Sequence, residues 1–307
     1  MQRLSPLIVF IAILLTLALV RLGMGWMTLS NESLPIANTV SGVLFLGGPL
    51  LGLVYAAKGK WTFPTAITCF VTGIVIQVGC ILILRQKPPE SVTPFLEAFS
   101  QVGLPIWCSG LGAMIATGVK DRNILIPISI FLIGFDTFLD LSPQGTVKKQ
   151  LVQSPELFQR MASQLPAFSG APANGHVAPG AYVGPADFVF LAMFMIALYR
   201  FELKAKETAK LVIPVLLVYM LVVIVGGIAL PALVPIGICV LIVNVREFKL
   251  TKDEKQSTIG LSIVVGLLLA YTWWSARPPK RAVKPSPELP LNSGPGKGKQ
   301  SLQLQKM

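Results

Sequence analysis

Five aspartates stand in this chain: Asp121, Asp136, Asp140, Asp187 and Asp253. Asp121 and Asp253 lie in hydrophilic gaps beside Lys120, Arg122 and Lys252, where water solvates them. Asp136 and Asp187 instead interrupt apolar runs. A charged carboxylate at the middle of a membrane helix costs at least about 2.5–3.5 kcal/mol on insertion scales, so an acid kept there marks a functional site by default. Two carboxyl groups held close share one proton, because like charges a few ångström apart do not both ionise cheaply. The ionised member takes a proton from water, and the protonated member hydrogen-bonds the carbonyl oxygen under attack. That is hydrolytic acid–base chemistry, and it needs neither a metal nor a histidine. Asp140, four residues after Asp136 on the same helix face, is expected to face water at the end of its segment.

The rest of the composition removes competing chemistries. His176 is the sole histidine, so a zinc helix with two histidines on one face is excluded and no metal or cofactor is expected. Cys69, Cys80, Cys108 and Cys239 sit in apolar stretches without a CxxC pair and read as buried packing residues. Ser109, in Ser109-Gly110-Leu111-Gly112, has no intramembrane base to activate it, and this cluster reads as a close helix contact. Gly48 and Gly52 have the spacing of another such contact.

With 53% hydrophobic and 13% charged residues, the 307-residue chain is unlike a water-soluble domain. Its net charge of +12 comes from Lys and Arg in short polar gaps and after Arg277, where they meet lipid head groups, so nucleic acid is not an expected partner. Nine segments read as spans: Pro6–Gly23, Thr39–Ala57, Thr62–Leu84, Phe99–Val119, Asn123–Leu141, Val183–Tyr199, Leu211–Ile228, Ala229–Val245 and Ser257–Ala276. The first has the look of an uncleaved signal segment, and Gly226-Gly227 with Pro231 splits the run from Leu211 to Val245. A long connection, Ser142 to Tyr182, is expected to hold a short helix near Ser154–Phe158 and then a loop rich in Pro, Ala and Gly from Pro166 to Gly180. The stretch from Arg277 to Met307 reads as a disordered basic tail.

Counting crossings brings the acids together. Asp136 lies five residues before the end of its span and Asp187 four residues after the start of the next, so antiparallel spans put both at one end, roughly 6–8 Å deep at 1.5 Å per residue. Two crossings later Pro231-Ala232-Leu233 returns to that end. Gly184-Pro185-Ala186-Asp187 reads as a helix start, with proline in the first turn and Asp187 at the positive end of the helix dipole. Asp136 sits among Phe131, Phe135 and Phe138, an apolar setting that favours its neutral form. Asp187 is therefore the expected base and Asp136 the protonated partner.

These residues resemble the presenilin and signal-peptide-peptidase family of intramembrane aspartyl proteases, the presenilin branch more closely. That family carries Tyr-Asp in one span, Gly-x-Gly-Asp in the next and Pro-Ala-Leu two spans later. The matching segments here are Phe135-Asp136, Gly184-Pro185-Ala186-Asp187-Phe188 and Pro231-Ala232-Leu233, and Leu141-Ser142-Pro143-Gln144-Gly145 also looks presenilin-like. The likeness covers about Ile124 to Val245. Phe135 stands where the family has tyrosine, and Pro185-Ala186 where it has x-Gly. The resemblance implies a catalytic pair of Asp136 and Asp187, with Phe135, Gly184, Pro185, Ala186, Pro231, Ala232 and Leu233 shaping the site.

The expected protein is thus an all-α, multi-pass integral membrane bundle with a presenilin-like C-terminal half. Residues 1–122 supply the first four spans, 123–245 the catalytic region with its 142–182 loop, 246–276 one further span and 277–307 the tail. The implied activity is cleavage of transmembrane-helix substrates in the lipid bilayer, with room for accessory membrane subunits and for self-cleavage in the loop. The loop is the expected gate, able to pair with substrate as an extended strand. A proton- or cation-coupled transporter and an inactive scaffold are the alternative uses of the same acids. Basic residues divide evenly between the two sides, so they set no orientation.

Overall fold

The computed structural model describes residues 5–141, 160–170, 175–226 and 231–275. Among them are nine α-helices: α1 (Pro6–Met24), α2 (Leu34–Ala56), α3 (Phe63–Arg85), α4 (Thr93–Gly118), α5 (Leu125–Leu141), α6 (Pro185–Arg200), α7 (Ala205–Gly226), α8 (Leu233–Asn244) and α9 (Lys252–Ser275). Six stretches are long and apolar enough to cross a membrane: α1 to α4, Arg122–Leu139 and α9. Each apolar segment read from the sequence corresponds to one helix. The expected helix near Ser154–Phe158, the side chain of Asp140 and the 277–307 tail lie outside the described residues.

Local chemistry sets the helix starts. Five helices, α1 to α4 and α6, carry proline in the first turn, where its missing N–H is no loss and its fixed φ suits the helix. Ser5 and Thr62 add side-chain caps, accepting from the amides of Ile8 and Thr65. The α4 helix starts earlier than its apolar run, at Thr93, and so takes Glu97 into the helix along with Gln101. Both side chains have partners there, as described below.

The α6 helix is apolar all round and forms the centre, with Phe188, Leu191, Met193, Phe194, Met195 and Leu198 essentially inaccessible. It packs on α4, where a side chain at Gly112 would run into the Val189 carbonyl. The α3 helix buries one stripe, Ala66, Cys69, Gly73 and Gln77, against α4. That crossing is close because Gly73 and Gly110 lie against the backbone of Trp107 and Phe70. The Ser/Gly cluster of α4 is therefore the helix contact expected of it, and Gly48 and Gly52 likewise receive Leu17 and Phe10 of α1. Cys69, Cys108 and Cys239 are buried, Cys80 is half-buried, and all four are free thiols. The α8 helix packs against α5, α6 and α7, and α9 packs against α5.

Polar side chains pin the helix ends away from the acids. Arg200 Nη1 donates to the carbonyls of Ala116, Thr117 and Val119 at 2.7, 3.0 and 2.8 Å, closing the C-terminus of α4 with a cation. Asn244, fully buried, accepts from the Lys204 amide and donates to Thr208 Oγ1 and the Val240 carbonyl, which ties α7 to α8. Asn123 joins the start of α5 to Lys249 and Glu254 at the start of α9.

The 142–182 connection is not a plain loop. Its second half forms an antiparallel hairpin, β1 (Ser163–Ala167) and β2 (Ala178–Val183), with a register shift between Leu165 and Pro166. Ser-Gln-Leu-Pro-Ala and Ala-Pro-Gly-Ala-Tyr-Val carry almost no β-branched residues, so strand propensity does not account for the pair. The helices that surround it do.

Candidate functional site

Asp136 lies on α5 five residues before its end, and its Oδ2 accepts the Leu233 backbone N–H at 2.8 Å. Leu233 opens α8, so this amide is one of the donors that a helix start leaves without an intrahelical acceptor. Just upstream, the buried Pro231 offers its carbonyl to Tyr219 Oη of α7 at 2.7 Å. Tyr219 thus holds one end of the Pro-Ala-Leu segment while Asp136 takes the amide at the other. Ala232 is the N-cap of α8 and half-buried, and Leu233 is buried.

Asp187 occupies the first turn of α6, the position the Gly-Pro-Ala-Asp reading gave it. Gly184 is the N-cap, in extended conformation, and Pro185 opens the helix. A Cβ placed on Gly184 would stand 3.5 Å from Asp187 Oδ2, an ordinary van der Waals contact. The Pro185 carbonyl accepts from Cys108 Sγ at 3.4 Å. Ala186 is exposed. Both aspartates are half-buried, and α8 is the helix packed against both of their helices. Phe135 is 42% exposed, with its ring stacked on Phe131 at 5.3 Å between centroids. Among the described residues no group of three or more His, Cys, Asp or Glu could hold a metal ion.

The β2 strand runs through Val183 directly into Gly184 and α6. Successive residues of a strand turn their N–H and C=O alternately toward and away from the partner strand. On β1 the outward set is Gln164, Pro166 and the following Phe168. The Gln164 amide donates to Gln101 Oε1 of α4 at 2.8 Å, and its carbonyl accepts from Arg21 Nη1 of α1 at 3.1 Å. Arg21 Nη2 also grips Gln164 Oε1 at 3.0 Å. Pro166 has no N–H, and its carbonyl accepts from Ser41 Oγ of α2 at 2.6 Å. The Phe168 amide donates to Asn38 Oδ1 of α2 at 2.6 Å. Each of these outward groups meets a helix side chain.

Two further contacts seat the hairpin. The Gly175 amide, at a φ of +86° that favours glycine, donates to the Gly25 carbonyl after α1. His176 Nδ1 lies 3.7 Å from Glu97. Beside the hairpin, a cavity of about 440 Å³ opens between it and the ends of α3 and α4, with Glu97, Ser100, Arg160 and Tyr182 in its wall; neither aspartate lines it.

Sequence reading singled out Asp136, Asp187 and the Pro-Ala-Leu segment but not Tyr219, Asn38, Ser41, Arg21 or Gln101. Arg21, within the first span, is 3% exposed. A polar residue within an otherwise apolar span was the available signal for Gln101 and Ser41. Comparison with protein-family models, curated proteins and solved structures returns no match.

Proposed function

We propose that the chain is a multi-pass intramembrane aspartyl protease of about nine spans, and that it hydrolyses peptide bonds within transmembrane helices of membrane-protein substrates. The observation that carries this reading is the hydrogen bond from Leu233 N–H to Asp136 Oδ2. It joins two features 97 residues apart, an intramembrane acid and the Pro-Ala-Leu segment, that the family resemblance assigns to one site.

In the proposed reaction Asp187 takes a proton from water as the water oxygen attacks the scissile carbonyl carbon. Asp136, held through Oδ2, gives its proton to the carbonyl oxygen, producing a gem-diol. Collapse returns a proton to Asp136, and Asp187 passes its proton to the leaving nitrogen as the C–N bond breaks. Only an unwound substrate segment can present its carbonyl, because helical carbonyls are engaged and crowded. The hairpin beside Asp187 suits a substrate in extended form, by strand addition.

The test is cleavage of a helical reporter in detergent by wild type, Asp136→Asn and Asp187→Asn. The expected result is turnover in wild type alone with all three proteins folded; an active Asn variant overturns the shared-proton mechanism. Proton-linked flux in liposomes that is insensitive to transition-state-mimic inhibitors, without cleavage, would instead identify a transporter, and neither activity would indicate a scaffold.

A further inference from the structure

We infer that the cavity between the hairpin and the ends of α3 and α4 binds a zwitterionic phosphate ester, the head group of an ethanolamine phospholipid, with Arg160 on the phosphate and Glu97 on the ammonium. This goes beyond the protease reading and does not depend on it. At about 440 Å³ the cavity falls within the range of small-molecule sites, roughly 300–1,000 Å³. Among the described residues its charged wall positions are Arg160 and Glu97, one of each sign.

Arg160 points to a ligand on two counts. Its Nη1 is buried and has no hydrogen-bond partner among the described residues. A buried cationic donor is costly to leave unmet, and a phosphate matches the guanidinium fork, which donates through two nitrogens at once. The backbone of Arg160 is also fixed from within the bundle. Gln77, 4% exposed in an apolar stretch of α3, donates from Nε2 to the Arg160 carbonyl at 3.3 Å and accepts from Trp107 Nε1. A buried amide in a helix of membrane length thus sets where the arginine joins the cavity wall.

Glu97 sets the second requirement. Its carboxylate side chain lines the same space, 3.7 Å from His176 Nδ1, and a ligand that brings only negative charge would meet it unfavourably. A primary ammonium both offsets the Glu97 charge and donates to it, and Ser100 adds a hydroxyl to the wall.

The position of the cavity selects a lipid. Ile81 and Leu84 of its wall stand near the end of α3 at Arg85, within about 6 Å of it at 1.5 Å per residue. That is head-group depth for a helix long and apolar enough to cross a membrane. The α3 helix buries one stripe against α4 and leaves Val71, Val75, Val78 and Leu82 exposed. Acyl chains can lie along that apolar face while the head group enters the cavity at the end of the helix.

The experiment measures lipid binding to the full chain in detergent, by native mass spectrometry and thermal unfolding, with ethanolamine, choline and glycerol phospholipids of identical acyl chains. Wild type should bind the ethanolamine lipid roughly tenfold more tightly than either other lipid, because a quaternary ammonium cannot donate to Glu97 and glycerol carries no cation. Arg160→Gln should weaken the ethanolamine lipid by roughly tenfold. Glu97→Gln should erase the preference of ethanolamine over glycerol lipid while binding persists; it leaves Arg160 in place and serves if the Arg160 variant fails to fold. Equal affinity for the three lipids in wild type, undiminished binding in folded Arg160→Gln, or a preference that survives Glu97→Gln each overturns the inference. Soluble phosphoethanolamine distinguishes the source. Much weaker binding than the lipid supports a membrane ligand, whereas equal affinity assigns the site to a soluble ester and overturns the lipid assignment.

Discussion

Asn244 offers the sharpest test of how the helix carrying Pro-Ala-Leu is held. Its carboxamide makes three hydrogen bonds of 2.9–3.0 Å: from the Lys204 amide, to Thr208 Oγ1 and to the Val240 carbonyl. Asn244→Ala strands the Lys204 amide, a loss of about 1–3 kcal/mol when a buried donor goes unmet. Each of the other two bonds adds roughly 0.5 kcal/mol, the scale of side-chain bonds in helical membrane proteins. The expected destabilisation is therefore about 2–4 kcal/mol. Thr208 is fully buried too and keeps its own bond to the Lys204 carbonyl, so Thr208→Val alone should cost less. The two effects should be non-additive, because they share one bond. The assay is reversible unfolding in mixed micelles, run as a double-mutant cycle. A cost below about 0.5 kcal/mol for Asn244→Ala, or strict additivity with Thr208→Val, would refute the reasoning that this junction is cooperative.

Other perturbations follow from the same geometry. Tyr219→Phe frees the Pro231 carbonyl and should lower kcat on a helical reporter several-fold while the unfolding midpoint moves little; an unchanged kcat removes Tyr219 from the positioning of Pro-Ala-Leu. Gly73→Val places a side chain against the Trp107 backbone and should force α3 from α4, read as faster cross-linking or proteolysis of the folded protein, with a stability loss of about 1–3 kcal/mol as for an overpacked contact. At the far end, the Lys204 ammonium, 2.9 Å from Glu247, hydrogen-bonds this exposed carboxylate and holds it below the ordinary carboxylate range. A lowered folded-state value means that the stabilisation is present above the unfolded carboxylate range and is lost as acid takes the pH down through the folded value. Lys204→Met should remove that acid-side dependence, followed as the carbonyl-carbon titration of Glu247.

Much of this molecule was legible because apolar runs and prolines punctuate it. Pro6, Pro35, Pro64, Pro94 and Pro185 all sit in first turns, and each helix falls within a run read from sequence, apart from extensions such as the early start of α4. Glu97 shows why that start was hidden: a carboxylate looks like a boundary until its neighbour, His176, is known. The depth of Asp136 and of Pro-Ala-Leu could be counted along the chain, whereas the hydroxyl of Tyr219 could not be assigned, since a tyrosine in an apolar helix serves equally well at an interface. The hairpin was illegible for a related reason. Its stability resides in α1, α2 and α4, more than sixty residues upstream, and nothing in Ser-Gln-Leu-Pro-Ala announces a strand.

The anchoring of β1 bears on what a break in the chain would do. In the sequence, α1 to α5 precede residue 142, and the hairpin and α6 to α9 follow residue 159. Yet β1, downstream of that stretch, is tied to α1, α2 and α4 upstream of it, and α5 is clasped by α8 and α9. A backbone severed there would leave two fragments interlocked as a non-covalent heterodimer, each supplying one of the two aspartates, and co-expressed halves would be able to reconstitute the whole.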